Sequence, residues 1–148
     1  MSKSQFERDL EFGKVYENML LQFLDYDSYE QAPSDTAFYL WDIKIVKDGV
    51  ETTYEIKADR KAIESGNIAI EYYNRSGKSG IQTSKCNYWA HFCVDPLGGF
   101  KLYMIPRRQL IKMINRGEYK RIAKTHDGAE FFLIEMSKIK QYLFKSVC

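Results

Sequence analysis

Asp42, Glu55 and Lys57 carry the chemistry that this sequence makes easiest to read. Twelve residues separate the two acids, and Asp48-Gly49 lies between them, joining two strand-like runs, Phe38–Lys47 and Val50–Ala58. Asp-Gly in such a place signals a two-residue type I′ turn, because both central residues need positive φ. With that turn Lys47 pairs with Val50. Counting back along both strands sets Leu40 opposite Lys57, Trp41 opposite Ile56 and Asp42 directly opposite Glu55. Opposed residues share a face with Cβ atoms about 4.5–5.5 Å apart, and the period of two brings Lys57 to that face as well. Carboxylates so close repel. A divalent cation resolves the conflict, since Mg²⁺ is a hard ion that takes carboxylate oxygens and water, and the Ile56 carbonyl offers a further oxygen. A lysine alongside can orient an attacking water or stabilise charge developing on a phosphate. The other face, Trp41, Ile43 and Ile45 against Ile56, Tyr54 and Thr52, is apolar and reads as core. The alternative is a solvated hairpin face with scattered polar groups such as Lys44, Glu51 and Thr53.

The elements around this hairpin follow from periodicity. Ser4 to about Leu24 reads as an amphipathic helix, with Phe6, Leu10, Tyr16, Leu20, Phe23 and Leu24 apolar. Asp25–Ala37, with Pro33, reads as a loop. A strand at Asn67–Tyr73 runs into the loop Asn74–Gly80, followed by a short helix around Ile81–Cys86. Tyr88–Val94 and Phe100–Ile105 form a strand pair around Asp95–Gly99. Pro106 suits the start of a helix through Asn115. Weak strands near Tyr119–Ala123 and Glu130–Ile134 precede a last helix, Ser137–Phe144. The expected fold is a single α/β (α+β) domain over residues 1–148, a central mixed sheet flanked by helices.

Asp42, then Glu55-Ile56-Lys57, resembles the D…(D/E)-x-K signature of the PD-(D/E)xK nuclease superfamily, with Trp41 where a Pro is usual. The resemblance spans roughly residues 8–90. It implies a restriction-endonuclease-like core, phosphodiester hydrolysis with Mg²⁺ or Mn²⁺, and Asp42, Glu55 and the Ile56 carbonyl as metal ligands, with Lys57 positioning the water. Members also carry a helix Glu that completes the metal site, and Glu17 matches it. That residue sits on the stripe of Leu10, Gly13, Leu20, Leu21 and Leu24, where an unpaired carboxylate is costly. Glu71 and Gln82 match by position as further catalytic residues. The alternatives are an edge-strand acid and a helix-start polar residue. Small stand-alone members include Holliday-junction resolvases, which act as homodimers in DNA recombination and repair. The resemblance therefore implies a structure-selective endonuclease for branched DNA. Other readings are a nuclease of the same superfamily for duplex or single-stranded DNA, a non-catalytic nucleic-acid-binding module, or an interaction protein whose charged halves pair.

Charge supports a DNA partner. The net +2 conceals 15 acids and 8 bases in residues 1–74, a balance of −7, and 5 acids and 14 bases in residues 75–148, a balance of +9. Folded together, the halves can place a metal beside a polyanion, or they form an ordinary mixed surface. Arg75 and Lys78 lie in the Gly-rich loop and Lys85 soon after. Arg108, Lys112 and Arg116 recur every four residues as a cationic stripe, which is either a solvated helix face or a DNA-backbone contact. Gly77-Lys78-Ser79 is not a phosphate-binding loop, because Tyr72 stands where its first Gly is required, so no nucleotide triphosphate is expected. His91 and Cys93 read as a strand histidine and a buried thiol rather than a zinc site, and His126 as a turn residue. The sequence contains no Gly-x-Ser-x-Gly, His-Glu-x-x-His or GxGxxG motif. No apolar run approaches the ~18–20 residues of a membrane span, and the charged start lacks a signal core. Cys86, Cys93 and Cys148 form no CxxC, as expected of reduced thiols inside a cell. A small nuclease of this kind is compatible with a phage or virus genome.

Overall fold

The hairpin forms with the expected turn. In the computed structural model, which describes residues 4–33 and 40–148, Asp48 and Gly49 have φ of 50° and 77°. The strands β2 (Ile43–Lys47) and β3 (Val50–Asp59) pair from Lys47–Val50 to Ile43–Tyr54. They belong to a six-stranded sheet in the order β1-β2-β3-β6-β7-β10, built with β1 (Ser28–Gln31), β6 (Tyr88–Val94), β7 (Phe100–Pro106) and β10 (Leu143–Val147). Only the β3–β6 pair is parallel. A second, antiparallel sheet, β5-β4-β9-β8, contains β4 (Asn67–Asn74), β5 (Gly77–Lys78), β8 (Arg121–Lys124) and β9 (Glu130–Glu135). The helices are α1 (Gln5–Phe23), the single turn α2 (Ala62–Ser65) and α3 (Arg107–Asn115). The fold is α+β, as expected, with four strands set apart in their own sheet.

Two apolar clusters cover the two faces of the large sheet. On one, α1 lays Tyr16, Leu20 and Leu21 on Ile43, Ile45, Tyr54, Ile56 and Phe92. On the other, Trp89, Tyr103 and Ile105 meet Ile68, Ile70 and Ile134 of the small sheet and Leu110 and Met113 of α3. Ser4 caps α1, its hydroxyl accepting from the N–H of Glu7 at 3.1 Å. Among the described residues no helix is long and apolar enough to cross a membrane.

Several elements differ from the sequence expectation. Ser28–Gln31, read as loop, is the edge strand β1, and residues 34–39, including Phe38 and Tyr39 of the expected first strand, lie outside the described residues. Arg75-Ser76 is the turn of a small β4–β5 hairpin. The helix expected at Ile81–Cys86 is one 3-10 turn, Gly80–Gln82, because the chain beyond it is drawn out to donate from the N–H of Lys85 to the carbonyl of Leu40 at 2.7 Å. The expected last helix is instead a 3-10 segment, Met136–Tyr142, broken at Ile139, which dips into the core, and then β10. Leu143–Val147 finds its backbone partners on β7, and that tertiary pairing overrides a weak local helix preference.

Two glycine substitutions are expected to act with opposite sign. A Cβ on Gly80 (φ 53°) would lie 2.1 Å from the carbonyl oxygen of Glu71, whereas one on Gly13, inside α1, would meet nothing within 4 Å. In urea unfolding, Gly80→Ala is expected to destabilise by about 2 kcal/mol or more and Gly13→Ala to stabilise by about 0.5–1 kcal/mol.

Candidate active site

The β2–β3 ladder ends at Ile43–Tyr54, and Asp42 takes over from it. Its N–H donates to the Tyr54 carbonyl, and its carboxylate accepts from the N–H of Ile56, each at 2.8 Å. Asp42 thus stands beside Glu55, as the register requires. The rest of the count fails at this point. Leu40 and Trp41 are not in a strand; the Leu40 carbonyl turns to Lys85, so Leu40 does not oppose Lys57. Trp41 packs against the cluster of the small sheet rather than with Ile43 under α1.

Beyond Asp42 no described residue pairs with this edge of β3, and α1 lines the far side of the cleft that results. Glu17, Asp42, Glu55, Ile56 and Lys57 all line one cleft of about 280 Å³. N–H and C=O of one strand residue point to the same side. The Ile56 carbonyl therefore faces the side of β3 on which its N–H meets Asp42.

Electrostatics sets the state of each group. The Glu55 side chain is only 13% exposed and lies 3.4 Å from the Lys57 ammonium. Burial chiefly, with Asp42 close enough to share a proton, pushes its pKa to about 7 against the pull of Lys57 and Ser84. The Ser84 hydroxyl reaches Glu55 Oε1 at 3.1 Å and the Leu40 carbonyl at 3.3 Å. Desolvation lowers the Lys57 pKa, but attraction to Glu55, Asp42 and Glu71 outweighs it. The net shift is upward, so Lys57 is an ammonium at neutral pH and serves as a donor and charge rather than as a base. Glu17, 18% exposed and 3.7 Å from Lys14, is raised by burial and by Asp42.

Under Lys57 lies a chain of buried polar groups. Its ammonium sits 5.7 Å from the Trp89 ring centroid. The Trp89 indole N–H donates to His91 Nδ1 at 3.1 Å, which leaves the proton on Nε2 to donate to Asp59 at 2.9 Å. Asp59 also accepts from the N–H groups of Lys61 and, across to the small sheet, Ala69, each at 3.1 Å. Burial alone would raise the Asp59 pKa, but these donors hold it below the usual carboxylate value. His91 is buried within β6 and Cys93 is a buried free thiol, both as expected.

The structure gathers Glu17, Asp42, Glu55, Ile56 and Lys57, and brings Glu71 on β4 within electrostatic reach of Lys57. It does not gather Gln82, whose amide donates to the Tyr72 carbonyl at 2.8 Å beside a hollow under α3. Lys85 adjoins Ser84. Arg75 and Lys78 sit on the β4–β5 hairpin, and Arg108, Lys112 and Arg116 lie exposed along α3 with no ion pair among the described residues. Sequence reasoning missed Ser84 and the Asp59–His91–Trp89 chain. An i, i+2 spacing of Trp and His on one strand face was the available signal for the latter.

Among the described residues no three His, Cys, Asp or Glu side chains converge as a ready cation cage. The donor set is two adjacent carboxylates, a backbone carbonyl and space for water. That set suits Mg²⁺ or Mn²⁺, which retain several waters and use one or two carboxylates. No protein-family model, curated protein or solved structure matches the chain.

Because the folded pKa of Glu55, about 7, lies above its ordinary 4.5, the folded chain holds an extra proton between those values, and stability falls as pH rises through them. In EDTA, wild type is expected to lose up to about 3 kcal/mol relative to Glu55→Gln over that window. Parallel stability curves in urea would contradict the buried-acid assignment.

Proposed function

We propose that this chain is a divalent-metal-dependent DNA endonuclease of the PD-(D/E)xK kind, selective for branched DNA and active as a homodimer. The observation that carries the reading is the partly buried Asp42–Glu55 pair at the edge of β3 that β2 leaves, with the Lys57 ammonium alongside and Glu17 lining the same cleft from α1. Such a pair is unfavourable unless a cation or proton joins it. A bound Mg²⁺ or Mn²⁺ would supply positive charge at the scissile phosphate.

The chain's own groups do the rest. Asp42 is held by the N–H of Ile56 and Glu55 by Ser84, so both carboxylates are fixed before substrate arrives. Lys57 donates to the attacking water and to the phosphoryl oxygens as their charge grows. The water oxygen bonds phosphorus in line, releasing its proton to solvent, as the bond to the 3′ oxygen breaks. The products are a 5′-phosphate and, once that oxygen takes a proton from solvent, a 3′-hydroxyl. The exposed cations of α3 and of the β4–β5 hairpin, which have no ion pair among the described residues, supply sequence-independent attraction to the phosphate backbone. The exposed cations of α3 also favour a second reading, DNA binding without cutting.

Four-way junction, flap, duplex and single-stranded DNA, incubated with Mg²⁺, Mn²⁺ or EDTA, separate these readings. Cutting of branched DNA is expected with either metal, none in EDTA, and a loss of about 10²–10³ in rate for Lys57→Ala with binding retained. Binding with no cutting of any substrate overturns the enzyme and leaves the module. Equal cutting of duplex and junction overturns the selectivity.

A further inference from the structure

The cleft does not end at Lys57. A second hollow of about 450 Å³ opens beside it, and Asp9, Gly13, Ile56 and Lys57 line both. Along the second hollow runs the continuing bare edge of β3. Thr53 turns its backbone groups to Asn87 on the β6 side, whereas Tyr54 and Ile56 turn theirs to Asp42. By that alternation Ala58 faces away from β6, where β2 no longer runs. Its N–H and C=O therefore open into the hollow with no partner among the described residues.

The walls supply complementary groups. Arg60 and Lys61 line the hollow. The Arg60 guanidinium lies 3.7 Å from the Phe12 ring centroid, half-exposed, with only a loose 3.9 Å contact to Asp9. Lys61 has no ion pair among the described residues. The other acid, Asp59, is already engaged by three N–H donors. A free backbone N–H and two cations suit a phosphate. A half-exposed guanidinium lying over an aromatic ring leaves its solvent side for an unstacked base. The volume is that of a small-ligand pocket, and a base still stacked in a duplex cannot enter one.

Building on the nuclease reading, we propose that this hollow receives one unpaired nucleotide of the cut strand, next to the scissile phosphate. Its own phosphate rests on the Ala58 N–H, Arg60 and Lys61, and its base on the Arg60 guanidinium. The substrate class narrows accordingly to DNA that offers an unpaired nucleotide beside the cut, such as a flap, a junction arm or a single strand.

The test is binding, in EDTA, of 2-aminopurine-labelled single-stranded, flap and fully paired oligonucleotides to the full chain, with cut positions mapped separately in Mg²⁺. Arg60→Ala/Lys61→Ala is expected to weaken single-strand and flap binding roughly tenfold and to leave duplex affinity within about threefold. The 2-aminopurine beside the cut should change fluorescence on binding to wild type but not to the variant. Ala58→Pro, which deletes the N–H on an edge where proline is tolerated, should reproduce the selective loss. Equal weakening for all three DNAs, or a silent 2-aminopurine beside the cut, overturns the nucleotide site even where cutting persists. Selective weakening with no cutting anywhere keeps the site and overturns the nuclease. Failure to bind any DNA overturns both.

Discussion

Asp42 sits where β2 stops pairing with β3, and its carboxylate takes the next hydrogen bond, from the N–H of Ile56 at 2.8 Å. That one substitution of a side chain for a ladder partner has several consequences. It fixes an acid beside Glu55 without any strand beyond it. It also leaves the Ile56 carbonyl and the Ala58 N–H on the even-numbered edge of β3 without a partner among the described residues. A sheet edge normally carries a hazard of unwanted pairing; here α1 walls it off from one side, and the edge becomes the floor of a cleft.

The second constraint is the burial of like charge. Glu55 is shielded from water and set against Asp42, so its proton is retained to near neutrality unless a cation replaces it. Lys57 answers part of that charge, and the Trp89 ring lies beneath its ammonium. The indole is itself fixed through His91 to Asp59, which is hydrogen-bonded to the small sheet at Ala69. The position of Lys57 is thereby tied to the packing of one sheet on the other, and Glu71 on the small sheet adds to the field that keeps it charged.

Local chemistry made the centre of this arrangement legible in the sequence. Asp48-Gly49 dictated the turn, the turn dictated the register, and the register carried Asp42 to Glu55. The same counting failed two residues further, at Leu40 and Trp41, because a register holds only while the strands stay paired, and the point of divergence is decided by remote partners such as Lys85. The edge strands β1 and β10 escaped notice for a related reason. Ser28–Glu30 is exposed with Gln31 only half-buried, and Leu143–Val147 is exposed throughout, so neither carries the alternation that marks a half-buried strand. Gln82 drew attention by its place in the chain, yet its amide serves the Tyr72 carbonyl. The role of Asp59 depends on a contact between sheets that no local pattern encodes.

That Asp42 and Glu55 together form a cation site is most directly tested by calorimetric titration of Mn²⁺ into the full chain near pH 7, in two buffers of different ionisation enthalpy. Mn²⁺ should bind with release of protons, because Glu55, with a pKa of about 7, is partly protonated there and must lose that proton to act as a ligand. Asp42→Asn should abolish both the binding and the release. Absence of Mn²⁺ binding, or binding unchanged in Asp42→Asn, would contradict it.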